Sequence, residues 1–415
     1  MKKYEYLGLF ISINDNEDFK RILINNFYTF SKIFGNFKKI FILDINNLKT
    51  FSKKNYLNKK LVNEFFPNLN IEFISPKNYL QLFTFLKKKK TVAIHIFGTG
   101  YKEIFLNICL RFFDIKFIQI NNVGNVQYGS YLISNYKTKG ILSYLNKNLA
   151  HKVTVLLSNL GIIHKIQFRF ISNSDYFKYK KLSLKNRIFN FLKLSYVNSL
   201  IQINSRAYDM FLENKFLESN SLITVLDEQL NEPQWTRYRE EFSEKQINNH
   251  YENFISFLNK LSKTLNKRVV VCIHPKDDLE YKKKIFKEFE VVKFQTREHI
   301  YKSFLIVFFE SSAIIDAVLL NKNITTVQSS ILDKNQIASG IHYVNELSVP
   351  ISNIDIMSKI NFDNNYLIEK KIIKSSLELK KDYNNYIKKY ICADQKDLTG
   401  VGKIVEMIKD KYKLK

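Results

Sequence analysis

Cysteine, proline, glycine and acidic side chains are all scarce in this 415-residue chain, and each shortage removes a class of structure. The three cysteines, Cys109, Cys272 and Cys392, lie far apart, with neither a disulfide framework nor the spacing of a metal site. Cys109 and Cys272 sit in apolar runs, as buried reduced thiols do, which sets a reducing compartment as the expectation. Eleven glycines and five prolines exclude collagen-like and low-complexity chains. No repeat period excludes a solenoid. The longest apolar stretch, Phe304 to Leu320, is interrupted by Glu310 and Asp316. It reads as a strand followed by a helix rather than a membrane span. The opening run MKKYEYLGLFISINDNED lacks a small-residue cleavage site and reads as a first strand, not a signal peptide.

Carboxylates are outnumbered. Lys and Arg total 65 against 39 Asp and Glu, a formal net charge of +26. Part of that lysine excess accompanies the abundant Asn, Ile, Phe and Tyr of an AT-rich coding bias. A charge this large favours anionic partners, either a membrane surface or phosphorylated substrates. Nucleic acid needs a patch or motif as well, and the cations here are spread along the whole length without a zinc knuckle or RNP motif. Nucleic acid is therefore not an expected partner, whereas an anionic membrane surface is. The basic-aromatic stretch Ser172 to Lys185 and the basic carboxyl-terminal helices are its candidate contacts, with a solvated face as the equal alternative for the first.

What is present is a regular alternation. Strands are expected at Tyr6–Ile13, Lys39–Ile45, Ile71–Ser75, Thr91–Phe97, Lys116–Ile120, Lys165–Ile171 and Ser199–Asn204, with helical spacing between most of them. A second alternating set begins at Leu222–Leu226 and continues through Val269–Ile273, Val291–Phe294, Phe304–Phe309 and Ile324–Val327. Helices follow at 370–391 and 400–413. The pattern predicts an α/β fold of GT-B type, two Rossmann-like doubly wound parallel-sheet domains facing across a cleft. The expected divisions are 1–205, 206–365 and a basic helical segment 366–415 packing back on the first domain.

In open parallel sheets, ligands sit outside the carboxyl ends of the strands. The run Val269–Ile273 ends in His274-Pro275-Lys276, and Phe304–Phe309 ends in Glu310-Ser311-Ser312. Ser311 and Ser312 are expected to cap a helix whose free N–H groups suit an anion. His274 and Lys276 would add donors and charge. A lone strand-end histidine is often structural; convergence with Lys276 and the two serines favours function here. Gly98-Thr99-Gly100 lacks the third glycine of a dinucleotide fingerprint and the Gly-Lys-Ser/Thr of a P-loop. It reads first as a tight turn, with close backbone approach to a substrate as the alternative. The stretch Asn121–Lys137, including Asn122 and Tyr128, follows a strand and is a further acceptor-side candidate.

The ordered set LITVLDEQLNE, VCIHPKDD, REHIYKS and FFESSAIIDAVL resembles the carboxyl-terminal half of the bacterial lipooligosaccharide sialyltransferase and polysialyltransferase families. The resemblance spans about a quarter of the chain, Leu222 to Val327. A related set of transferases that add Kdo, legionaminic or pseudaminic acid shares the His-Pro and Ser-Ser pattern. This chain departs from the families' pattern in two ways. Cys272 stands where those families usually carry a lysine. Asn121, Asn122 and Asn125 stand in the stretch where they carry the acidic pair before glycine that supplies the general base.

The resemblance implies a glycosyltransferase of surface-glycan synthesis. It would move sialic acid or a related ulosonic acid from a CMP-activated donor to an oligosaccharide or lipid-linked glycan acceptor. Its donor would lie in the second domain and its acceptor on the first. His274, Pro275, Lys276, Ser311 and Ser312 would hold the donor, with Asp227 and Glu228 facing cytidine or ribose. Glu310 would reach a ribose hydroxyl or anchor its loop. His274 would also serve catalysis. Asp15, just after the first strand, is the base candidate, although an exposed turn or helix cap accounts for it first. A leaving phosphate neutralised by His, Lys and N–H groups requires no metal, and no cofactor is expected; Asp277-Asp278 reads as a helix cap. The expected location is the cytoplasmic face of the plasma membrane. The alternatives are a UDP- or GDP-sugar transferase, a teichoic-acid-type polyol-phosphate transferase, or a basic nucleic-acid- or membrane-binding scaffold.

Overall fold

The computed structural model describes residues 4–11, 16–45, 48, 59–87, 89–96, 101–121, 152–172, 196–213, 217–228, 230, 241–275, 277–309, 311–332, 334–361, 363, 365, 367, 372, 373, 375–392 and 399–414. They form two compact units. The first holds the described residues of Met1–Gly124, Lys139–Met210 and Cys392–Lys415; the second holds those of Phe211–Ile391. The closing helices separate. Ser376–Tyr386 belongs to the second unit and Gly400–Tyr412 to the first, so the return expected at residue 366 begins at Cys392.

The first unit is a parallel sheet of β1 (Tyr6–Ile11), β2 (Ile40–Asp44), β3 (Ile71–Ile74), β4 (Thr91–Ile96), β5 (Ile115–Asn121), β6 (Ile166–Ile171) and β7 (Val197–Gln202). Their spatial order is β3-β2-β1-β4-β5-β6-β7. Both faces are covered, so the strands read as near-continuous apolar runs. In β1, Leu7, Leu9 and Ile11 join one core layer and Phe10 the other. Gly8 is required by packing: a Cβ there would lie 2.8 Å from the Phe41 ring.

The helix Gly400–Tyr412 locks onto this sheet through a buried cap. Both carboxylate oxygens of Asp209 accept backbone N–H groups, Gly400 at 2.7 Å and Val401 at 3.0 Å. Thr399 accepts from Gly402 N–H at 2.9 Å. Three of the helix's otherwise unmet donors are thus satisfied. At its far end the Tyr412 carbonyl accepts from Tyr4 N–H, and the two rings meet edge to face.

The second unit contains β8 (Leu222–Leu226), β9 (Arg268–Cys272), β10 (Glu290–Val292), β11 (Ser303–Phe308), β12 (Asn323–Gln328) and β13 (Ile351–Asn353), ordered β10-β9-β8-β11-β12-β13 and parallel throughout. The three-residue edge strand β13 is absent from the sequence expectation, because its apolar signal is too short to register. The long helix Glu244–Leu265 opens with a Ser243–Gln246 capping box and ends at Asn266, whose φ of 50° is left-handed. Its buried residues His250, Tyr251, Phe254, Phe257, Leu258 and Leu261 recur at helical spacing and cover the sheet. The two sheets supply the two Rossmann-like, doubly wound domains of a GT-B fold. Among the described residues, no helix is long and apolar enough to cross a membrane.

Candidate active site

In the second sheet the chain steps from β8 to β9 to β10, then crosses back to lay β11 on the other side of β8. That reversal is the topological switch point, where open α/β sheets bind ligands. The register pairs Leu226 with Cys272 on one side and with Phe308 on the other. Asp227-Glu228, Ile273-His274-Pro275 and Phe309, Ser311 and Ser312 therefore leave three adjacent strands at one edge. His274 is half-buried, Pro275 exposed, and the His274 carbonyl accepts Asp277 N–H at 2.9 Å, closing a turn. Ser311 is half-buried and Ser312 exposed. Cys272, expected to be buried, is buried at the end of β9, where burial pushes its thiol up to about 12; Cys109, in the first unit, is only half-buried.

Several expectations change at the level of side chains. Ser311 and Ser312 do not cap the next helix. Ala313 occupies that position, and Ser311 Oγ instead accepts from Ala313 N–H at 3.3 Å in a local turn. Asp278 alone caps the helix Leu279–Ile285, accepting from Tyr281 N–H at 2.7 Å. Its neighbour Asp277 is buried. Asp227, expected to face a nucleotide, turns its carboxylate inward to the Lys282 ammonium. Glu228 is buried beside it at the strand end. Asp15, Gly98, Thr99, Gly100, Asn122, Tyr128, Lys276 and Glu310 lie outside the described residues.

Beneath the strand ends lies a polar layer that residue patterning did not reveal. Lys282 Nζ donates to Asp227 and to the Tyr251 hydroxyl, and Asp277 lies 3.6 Å from it. Burial raises the Asp227 carboxyl, an effect the Lys282 ammonium offsets only in part. Burial pulls the Lys282 ammonium down, but Asp227, Tyr251 and Asp277 outweigh it and hold the group charged. Next to this cluster His250 shares a 3.1 Å hydrogen bond between Nδ1 and the Ser329 hydroxyl, just past β12. The rings of Tyr251, Phe254 and Phe309 surround it. Burial lowers its imidazole to about 4, so it stays neutral. Asp355 accepts from Ser330 N–H at 2.6 Å and from Asn253 at 3.0 Å, fixing the same loop. The one sequence signal for this layer was the paired His250-Tyr251 on the apolar face of a long helix. Among the described residues, no group of three His, Cys, Asp or Glu could hold a metal.

No protein-family model matches the chain. No curated protein matches it either. Solved structures do align over almost its whole length. An S. aureus MnaA–UDP structure is 11% identical, covers 99% of this chain and 98% of its own, and has a TM-score of 0.48. The calicheamicin glycosyltransferase CalG4 is 9% identical, with coverages of 99% and 98% and a TM-score of 0.48. The wall teichoic acid polymerase TagF (H548A) is 12% identical, with coverages of 100% and 89% and a TM-score of 0.48. At these values the likenesses carry no argument about activity. The fold rests on the strand order of the chain's own sheets.

Proposed function

We propose that this chain is a glycosyltransferase that binds a nucleotide-activated sugar at the carboxyl edge of its second sheet. The observation that carries this reading is the register around β8, which sets Glu228, His274 and Ser311-Ser312 on three adjacent strand ends at a switch point. Asp227 drops out as a ligand contact, since its carboxylate is committed to Lys282. Glu228 remains as the acidic group for a ribose or base.

The donor class we favour is a CMP-activated ulosonic acid, with a hydroxyl of a surface glycan as acceptor. The motif set from LITVLDEQLNE to FFESSAIIDAVL supports it. In the reaction the anomeric carbon–phosphate oxygen bond breaks and a bond to the acceptor oxygen forms. The acceptor proton passes to a base, and CMP leaves with its phosphate charge met by donors. His274 is the group for that leaving phosphate, as a hydrogen-bond donor or acid.

Nucleotide binding and donor hydrolysis by the purified chain test this, with CMP-sialic acid, CMP-Kdo, UDP-sugars and GDP-sugars as the panel. CMP release that disappears in His274→Ala is the expected result. Glu228→Gln should weaken CMP binding about tenfold or more, the cost of one charge-assisted contact, without altering the unfolding midpoint. Preference for UDP over CMP would overturn the donor class, and binding of no nucleotide would overturn the site.

A further inference from the structure

In a parallel sheet all strands begin at one edge, and in the first unit that edge carries an unusual surface. The connection Arg111–Asp114 leads into β5, and Leu160–Lys165 leads toward β6. The two touch: Arg111 Nε donates to the Gly161 carbonyl at 2.9 Å, and His164 Nε2 lies 3.1 Å from the Leu110 carbonyl. Around this joint Phe112 is 83% exposed and Leu160 63% exposed, with Ile162 also exposed. Leu156, one turn before Leu160 on the same helical face, is exposed as well. Single exposed apolar residues need no explanation; a cluster on two contacting loops does.

The rest of the edge is basic. Lys38 and Lys39 precede β2, Lys87 and Lys90 precede β4, and Arg111 and Lys165 precede β5 and β6. Backbone bonds keep these turns in one row: Leu7 N–H donates to the Lys39 carbonyl, Tyr6 N–H to that of Lys90, and Thr91 N–H to that of Asp114. The carboxylates along the row are already engaged. Glu5 faces Lys39 at 3.5 Å, Glu72 faces Lys89 at 3.0 Å and Asp114 faces Lys116 at 3.8 Å. An apolar tip beside a row of cations is complementary to an anionic lipid leaflet, whose headgroup–acyl boundary takes the tip and whose headgroups take the row.

We propose that the amino-terminal edge of the first sheet is a docking surface for an anionic lipid bilayer, with Phe112 and Leu160 inserted at the headgroup level. The tip residues Phe112 and Leu160 belong to neither Ser172–Lys185 nor the carboxyl-terminal helices, the stretches that sequence alone suggested. It is independent of donor chemistry and lies at the opposite strand ends from those that bind ligands in such sheets.

Vesicle flotation of the full chain tests it, using phosphatidylcholine with and without phosphatidylglycerol. Wild type should float with the anionic vesicles and far less with the neutral ones. Phe112→Asp should weaken partitioning at least about tenfold, the loss of one buried aromatic. Arg111→Glu with Lys165→Glu should weaken it further and leave binding less sensitive to salt. Phe112→Trp should shift its emission to the blue on anionic vesicles only. All three positions face solvent or are half-buried, and unchanged thermal unfolding shows that each variant is folded. Equal flotation with both lipids, or wild-type flotation by Phe112→Asp, would overturn the proposal. So would indifference to vesicles combined with RNA binding that the same variants abolish.

Discussion

Lys282 and Asp227 form an ion pair whose side chains are only 3% and 1% exposed, joining the helix Leu279–Ile285 to the end of the central strand β8. Tyr251 and Asp277 complete the surroundings of the ammonium. Such a pair is not a large net source of stability, because both ions were taken out of water. Its consequence is positional. With the Asp227 carboxylate fixed inward, the backbone delivers Glu228 at the strand end in a defined orientation.

Breaking the pair on one side leaves a buried charge without its counterion. Lys282→Met should therefore cost about 3–5 kcal/mol in urea unfolding. Asp227→Leu in the same chain should restore much of that loss, with a coupling of at least about 1 kcal/mol in the double-mutant cycle. Additive effects of the two substitutions would show that the groups do not depend on one another.

His250 gives the second unit an acid-sensitive point. Its folded imidazole lies at about 4, below the ordinary value of 6.5. Between those values the unfolded chain binds the extra proton, so stability is complete above pH 6.5 and is lost as the pH falls toward 4. The full contribution is about 3 kcal/mol. His164 in the first unit is lowered by burial to about 4 in the same way. His250→Gln can keep the bond to Ser329 but cannot titrate. It should flatten the acid slope of unfolding for the second unit; a slope identical to wild type would remove His250 as the cause.

Gly400 marks where the carboxyl-terminal helix meets the first unit. An added Cβ would lie 2.7 Å from the Asn204 carbonyl oxygen and 3.2 Å from Asp209 Oδ2. Gly400→Ala should cost about 1–3 kcal/mol by overpacking, despite the better helix propensity of alanine. Faster hydrogen exchange along Gly400–Tyr412 is the readout. An unchanged or raised melting temperature would mean that the contact yields freely.

The strands were legible because a two-sided sheet demands apolar residues at nearly every position. Runs such as IFILD in β2 and VVVC in β9 announce themselves. Punctuation by His274-Pro275 and Ser311-Ser312 marked the right strand ends. The capping expected of the serines did not hold, since Ala313 takes that position through backbone geometry rather than side-chain preference.

Sequence by itself determined the class of this protein: two successive α/β sets, a basic surface, and polar residues ending particular strands. Tertiary structure alone decided which groups those strands bring together. The run Lys282-Lys283-Lys284 shows why. Lys283 is 49% exposed and pairs with Glu280, whereas Lys282 is buried against Asp227, 55 residues away in the chain. The three side chains have the same chemistry, and only the face of the helix turned toward β8 makes one of them part of the interior. Local composition sets propensity and periodicity over a few turns. Burial of a charge depends on partners from distant segments, and their arrival is a property of the packed sheet.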